Sequence, residues 1–394
     1  MTLSAMSPVD PIELARALIR CPSVTPADAG ALGVLEGALK SLGFVCARLR
    51  FEEPGTAPVD NLYARRGTAR PNFCFAGHTD VVPPGRESAW RFPPFAAEVA
   101  DGAVWGRGAA DMKGAIAAFV AAADRVLAAG EAAGSVSLLI AGDEEGPAIN
   151  GTRKVLDWLA ARGEVVDHCL VGEPSSQERL GDMIKVGRRG SINCWLTVQG
   201  RQGHVAYPHR AKNPIPPLMR MLLALGETPL DAGHERFQPS NLEVTELAVG
   251  NEAHNVIPAE ARARFNIRFN PTWTGAALDR HLRARLDALA AGEGIAYALE
   301  TVVSGEAFLT TDERFIALVS DAAERRTGLR PVASTSGGTS DARFIKDAAP
   351  VIELGLPNET IHQIDERAAV ADILALSDIY ADILRGYFRL EAAP

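Results

Sequence analysis

The period of the apolar positions changes twice along this chain, and the changes divide it into parts. Up to about residue 187, short apolar runs alternate with segments of helical period. Runs at 73–76, 136–141 and 169–172 read as strands, and 115–129 and 152–161 read as helices. Such alternation predicts a largely parallel sheet covered by helices. The first helix has a full start signal. Asp10 can cap it, Pro11 fits the first helical position, Glu13 closes a D-x-x-E box, and Leu14 and Leu18 share a face.

Near 187–190 the period becomes two. Ile192, Cys194, Leu196 and Val198 alternate with Asn193, Trp195, Thr197 and Gln199. Ala261, Ala263, Phe265, Ile267 and Phe269 alternate with Arg262, Arg264, Asn266 and Arg268. One-sided strands suit an antiparallel sheet with one solvated face. Two helical stripes accompany them, one at about 218–225 and one carrying Leu278, Leu282, Leu286 and Leu289. Thr310-Thr311-Asp312-Glu313 then reads as a capping box for a helix ending at Gly328. Strand and helix patterns alternate again from there, with an apolar run at 351–355 and a last helix at about 369–384. The expected fold is α/β. A discontinuous domain, 1–187 plus 302–394, holds a largely parallel sheet covered by helices. An α+β domain with an antiparallel sheet is inserted at 188–301.

Composition narrows the function classes. At 394 residues the chain exceeds what one core usually serves. A net charge of −9 argues against non-specific binding to nucleic acid or to an anionic membrane, although it leaves room for a local basic pocket. The longest apolar run, about 114–123, is too short to span a bilayer. Met1–Pro8 lacks a basic stretch followed by an apolar one, so no secretory signal is expected. Cys21, Cys46, Cys74, Cys169 and Cys194 are odd in number, scattered and without a C-x-x-C pair. They read as reduced thiols of a cytoplasmic protein.

The candidate chemistry collects where predicted strands end. Gly77-His78-Thr79-Asp80, Asp143-Glu144-Glu145-Gly146 and Glu173-Pro174 each follow a strand. His362 comes soon after the 351–355 run, and Asp111 stands before a helix. Taken singly, each has an ordinary reading: a satisfied histidine, a helix N-cap, a solvated turn. Open α/β sheets, however, bind ligands beyond the carboxyl ends of their strands. Five such segments aim two histidines and several carboxylates at one crevice, which points to a dinuclear metal site. Histidine and carboxylate without cysteine is the ligand set of catalytic rather than structural zinc. Asp80 is placed to fix the His78 tautomer. Adjacent Glu144 and Glu145 point in different directions, so one can bind metal while the other faces substrate.

The strings G-H-T-D-V-V-P-P-G, W-G-R-G-A-A-D-M-K-G, D-E-E-G-P-A-I-N-G-T and G-E-P-S-S resemble the zinc aminoacylase/carboxypeptidase family, and the resemblance covers nearly the whole chain. It implies two zinc ions per chain, with cobalt able to replace one. Asp111 would bridge them, His78 and Glu173 would complete one site, and Glu145 and His362 the other. It implies Glu144 as general acid/base, a cis peptide after Asp111, and an insert that serves as lid and dimerisation domain. His204 would reach the active site of the partner subunit in a homodimer.

The strings at 184–191, 202–209, 255–258 and 336–341 resemble a member acting on an anionic small molecule, N-succinyl-L,L-diaminopimelate, in lysine and diaminopimelate biosynthesis. They single out Arg188, Ser191, Tyr207, Asn255, Arg268, Gly338, Thr339 and Asn358 as substrate contacts. Arg188, Arg189 and Arg268 can bind carboxylates, bidentately where geometry allows. Arg262 and Arg264 read as a solvated strand face. A deacylase of another acyl-amino acid, such as acetylornithine, would share every metal ligand. A non-catalytic metal-dependent binding module is the alternative from another class. Two positions depart from the expected pattern: Ala342, where glycine is common, and Pro216-Pro217.

Overall fold

The computed structural model describes residues 8–128, 130 and 133–389. The expectation drawn from Met1–Pro8 therefore falls almost wholly outside the described residues. The chain forms two compact units. One comprises 1–186, 310–334 and 340–394, and the other 187–309 and 335–339.

The first unit is built on an eight-stranded sheet. Its centre is Ser135–Ala141, Asn72–His78, His168–Val171 and Val351–Glu353, adjacent in that order and all parallel. These are the four apolar runs of the sequence. Ser135–Ala141 is buried at every position, as a strand covered on both faces must be. Val45–Phe51 and Val59–Arg66 extend one side antiparallel; Met183–Lys185 and Val332–Ser334 extend the other.

The helix Gly114–Ala128 is buried on every side over Gly114–Ala123, including Ile116, Phe119 and Val120. Phe119 stacks on Phe75 at 4.2 Å between ring centroids and meets Tyr380 edge-on at 5.8 Å. Tyr380 lies on the last helix, Val370–Phe388, and donates its hydroxyl to Leu354 O at 2.6 Å. Pro11–Ile19 is capped as expected, with the Asp10 carboxylate accepting from Ile12 N and Glu13 N. Glu13 itself turns to Arg16 instead of closing the box. The start of Glu313–Thr327 also differs from expectation. Asp312 is its cap, accepting from Arg314 N and Phe315 N, while the Thr310 hydroxyl donates to Val351 O at 2.5 Å.

The second unit is an α+β sandwich half. Asn241–Ala248, Glu260–Phe269, Gly190–Gln199 and Ala296–Gly305 form an antiparallel sheet in that order. The predicted apolar faces of the two central strands are buried, against Leu218, Met221 and Leu225 of Ile215–Glu227 and Leu278, Leu282 and Leu286 of Gly275–Glu293. The expected boundary at 301 falls inside Ala296–Gly305, whose pairing with Gly190–Gln199 runs to Gly305. Pro216 and Pro217 occupy the first turn of a helix, where a missing N–H costs nothing. Ala342 is fully buried at the start of Ala342–Ile345, in ordinary helical backbone.

Candidate active site

The carboxyl ends of the central parallel strands deliver the predicted ligands together. His78 ends its strand; Asp143-Glu144-Glu145 and Glu173 follow theirs. Asp111 lies in the irregular segment Ala109–Lys113, with non-helical backbone at Asp111 and Met112 and a cis peptide between them, as the resemblance implies. Met112 is completely buried over the ends of two strands. A Cβ at Gly77 would lie 2.3 Å from Met112 Cε, and one at Gly172 2.8 Å from it, so only glycine leaves room for this seating.

Asp111 presents a different oxygen to each histidine. Oδ1 lies 3.2 Å from His78 Nε2, and Oδ2 lies 3.4 Å from His362 Nε2. His78 Nε2 is also 3.7 Å from Glu173 Oε1, and His362 Nε2 is 2.9 Å from Glu145 Oε1. Atoms of His78, Glu144 and Glu173, and of His78, Asp111 and Glu145, gather closely enough to hold a metal ion. His362 is half-exposed and in left-handed backbone, φ 61°.

Asp80 works differently from expectation. His78 Nδ1 bonds the backbone carbonyl of Asp80 at 2.8 Å, whereas the Asp80 carboxylate is 3.7 Å away. That bond assigns the proton to Nδ1 and leaves Nε2 directed at Asp111 and Glu173. The Asp80 carboxylate accepts instead from Glu144 N at 3.3 Å and Glu145 N at 3.0 Å, holding the turn that carries both glutamates.

The cluster is short of positive charge. Burial opposes an imidazolium at His78, yet hydrogen bonding to Asp111 and the charges of Glu173, Asp111 and Asp80 hold its pKa well above the ordinary value. Hydrogen bonds to Asp111 and Glu145 raise His362 to about 10. Burial tends to raise Asp111, but the two histidines bring it down. Burial, then the charge of Glu173, pushes Glu144 well above the usual carboxylate range. A site that draws protons onto both histidines is one that favours cations.

The predicted substrate residues fall into separate groups. In the second unit Ser191, Arg268 and Asn241 are direct neighbours across three strands. Arg189 donates to Asn241 Oδ1 at 3.0 Å. Burial, then the nearby Arg189 charge, lowers the pKa of Arg268. Two half-buried guanidiniums that feel each other's charge would suit an anion. Arg188 is buried and donates to Ser336 O at 3.1 Å; a Cβ at Gly337 would come 2.6 Å from its Nη1. Gly338 and Thr339 continue that loop. His204, Tyr207 and Asn255 cluster on a small ribbon, where Gly203–His204 pairs with Val256–Ile257 and Val205 N bonds Asn255 O. His204 Nδ1 accepts from Ala206 N at 3.0 Å, which puts the ring proton on Nε2. Asn358 belongs to the first unit, its N–H bonded to Ser176 O.

Three buried residues were given no role by the sequence reading, although Arg107 and Lys113 lie in the string around Asp111. Lys113 is fully buried, with Nζ donating to Cys21 O at 2.9 Å, and burial lowers it to about 8. Arg107 and Glu366 form an ion pair at 2.6 Å beside Asp111. Glu366 stands four residues after His362, in a segment with no local period to mark it.

A parallel sheet with a histidine–carboxylate cluster at its carboxyl edge defines a class, and residues 74–386 match the model of peptidase family M20/M25/M40. The chain belongs to that family. It is 61% identical over 385 residues to the succinyl-diaminopimelate desuccinylase of Parvibaculum lavamentivorans, covering 98% of this chain and 97% of that one. It is 58% identical to the Beijerinckia indica protein of the same name, covering 96% and 98%. Among solved structures, an M20 family metallo-carboxypeptidase from Sulfolobus solfataricus shares the fold at TM-score 0.76 and 16% identity, covering 97% of this chain and all of that one. A dinuclear metal-binding M20 peptidase from Bacillus subtilis does so at TM-score 0.71 and 18% identity, covering 97% and 98%.

Proposed function

We propose that this chain hydrolyses the succinyl amide of N-succinyl-L,L-diaminopimelate, releasing succinate and L,L-diaminopimelate for lysine and diaminopimelate biosynthesis. One observation carries the reading: in a chain this similar to named desuccinylases, Asp111 offers one oxygen to each of two histidines.

The donor set suits two divalent cations. Asp111 would be shared, with His78 and Glu173 on one ion and Glu145 and His362 on the other. Imidazole and carboxylate without thiolate fit zinc, and cobalt can replace it. When bound, such ions polarise the amide carbonyl and lower the pKa of the attacking water toward about 7. Glu144 takes the proton of that water and later delivers it to the leaving amine. Its upward-shifted pKa is the direction a proton shuttle requires. Asp80 keeps Glu144 and Glu145 in place through their N–H groups. His204 donates Nε2–H to the developing oxyanion. Arg188, Arg268 and Ser191 hold substrate carboxylates, with Tyr207, Asn255, Gly338, Thr339 and Asn358 as further contacts.

We place the reaction in the cytoplasm and in a homodimer, with His204 supplied to the partner's site. No helix among the described residues is long and apolar enough to cross a membrane. The direct test compares succinyl-diaminopimelate with acetylornithine as substrates of purified, zinc-loaded protein. Preferred turnover of the succinyl substrate is expected. Preference for acetylornithine would overturn the substrate, and metal binding without turnover of either would favour a binding module.

A further inference from the structure

We infer that Glu366 is a positioning residue for the metal centre, its carboxylate locking the Asp111 segment and the His362 segment into one register. The inference rests on the metal-hydrolase reading given above. Glu366 is completely buried. Its Oε1 accepts from Gly108 N at 3.1 Å, Ala110 N at 3.0 Å and Asp111 N at 3.1 Å. Its Oε2 accepts from Arg107 Nη1 at 2.6 Å. Its own carbonyl accepts from Gly106 N at 2.9 Å. One residue further, Arg367 pairs with Trp105 in an antiparallel ladder.

Arg107 extends the clamp. It is 2% exposed, lies 5.2 Å over the Trp90 ring, and its Nη2 reaches Pro83 O at 3.4 Å and His362 O at 3.5 Å. One buried ion pair therefore touches the backbone of both segments that carry the shared carboxylate and the second histidine.

The need for such a device follows from the backbone. Asp111 and the residue after it have non-helical φ and ψ, so neither a helix nor a strand ladder receives the Asp111 N–H. Three converging N–H groups form a concave donor site that a buried carboxylate satisfies through charge-assisted bonds. Both Glu366 oxygens are engaged by donors, and Glu366 is not among the groups that gather closely enough to hold a metal ion. It acts through Asp111 and His362, as outer partners of metal ligands do.

The test measures cobalt binding, by chelator competition and by the visible absorption of the bound ion, alongside thermal stability. Glu366→Gln keeps the shape but places an N–H₂ against a donor. It is expected to weaken the affinity for at least one ion by about 10–100-fold and to alter the absorption. Asp231→Asn is the matched control. Asp231 Oδ1 gathers Gly233 N, Ser240 N and Asn270 Nδ2 in the second unit, which holds none of the proposed ligands. It should lower the melting temperature and leave cobalt affinity unchanged. Should Glu366→Gln fail to fold, Arg107→Lys carries the same expectation, since it keeps the charge and loses the fork. Wild-type protein that binds two ions, with variants that bind them equally well and with the same spectrum, overturns the inference alone. Wild-type protein that binds no cobalt overturns the metal-hydrolase reading, and the inference with it.

Discussion

The two units solve opposite problems. In the first, most of the candidate ligands are buried and tied down: His78 is 1% exposed and Asp111 7%, each with named partners within the same unit, while the His362 side chain is 48% exposed. In the second, Arg188 and Ser191 are buried, but another group of candidate recognition residues lies open. Tyr207 is 52% exposed, and His204 and Asn255 are exposed on a short two-stranded ribbon. A charged cluster that must hold cations gains from low dielectric and fixed geometry. Groups that would contact a substrate can stay exposed until it binds. The division teaches where to look for each kind of failure. Damage to the first unit should abolish chemistry outright, and damage to the second should spoil particular substrates or steps.

The sharpest way to break this contrast is Glu144→Gln. The amide cannot accept a proton at neutral pH, so turnover should fall by roughly 10²–10⁴ with both metal ions retained. Near-normal turnover would remove Glu144 as the base. Loss of metal would show that Glu144 and Glu145 have exchanged roles, an outcome the close gathering of Glu144 with His78 and Glu173 makes worth measuring.

His204→Ala comes next. Losing one oxyanion donor should cost about 10²–10³ in kcat, with metal content and melting temperature unchanged because the side chain is exposed. Mixing it with Glu144→Gln tests the partner-supplied arrangement. If each site borrows His204 from the other subunit, a mixed dimer contains one site with both residues intact and regains activity. Mixed dimers that form but stay inactive would place His204 in its own chain's site. A smaller effect is expected at Arg268. Its half-buried setting puts Arg268→Ala at the low end of charge-pair losses, about 2 kcal/mol in kcat/KM for the succinyl substrate. A substrate lacking that carboxylate should be affected much less, and equal losses on both would make Arg268 a folding residue.

The same contrast explains what could be read from sequence. Strands and one-sided faces were legible because burial imposes period: Ser135–Ala141 is apolar where both faces are covered, and 192–198 alternates where one is. The segments carrying His78, Glu145 and Glu173 were legible as a candidate site because an open α/β sheet binds ligands at its strand ends, whereas the proposed ligand roles, those of Asp111 and His362 included, came from the family resemblance. Long-range bonds were not. Asp80 was expected to hold His78 by its carboxylate, but the carbonyl does so, because that carboxylate is drawn to N–H groups more than sixty residues away. Glu366 and Arg107 are separated by 259 residues and carry no periodic signal. Nor does any local rule say that Thr310 will bond Val351 O and leave the cap to Asp312.

The smallest expected effect is a slope in pH, and it isolates the buried cluster. In metal-free protein His78 and His362 have folded pKa values raised above their unfolded value near 6.5, His362 to about 10. The folded state then holds more protons than the unfolded one. Their stabilisation is fully present below about pH 6.5 and is lost as pH rises toward 10. Glu144 adds a slope of the same sign, since its folded pKa is also raised. Lys113 acts oppositely, but only above its lowered value of about 8. Between pH 6.5 and 8 the melting temperature of metal-free protein should therefore fall with rising pH. His362→Gln should make that fall shallower, because it removes one of the protonated groups and keeps a donor facing Glu145. Metal-loaded protein should show less of the slope, since the ions replace the protons and loading releases them to the buffer. Calorimetric scans of the metal-free forms check this directly. Parallel slopes for wild type and His362→Gln would mean that His362 does not carry the extra proton, and that the Asp111 carboxylate is balanced from elsewhere in the first unit.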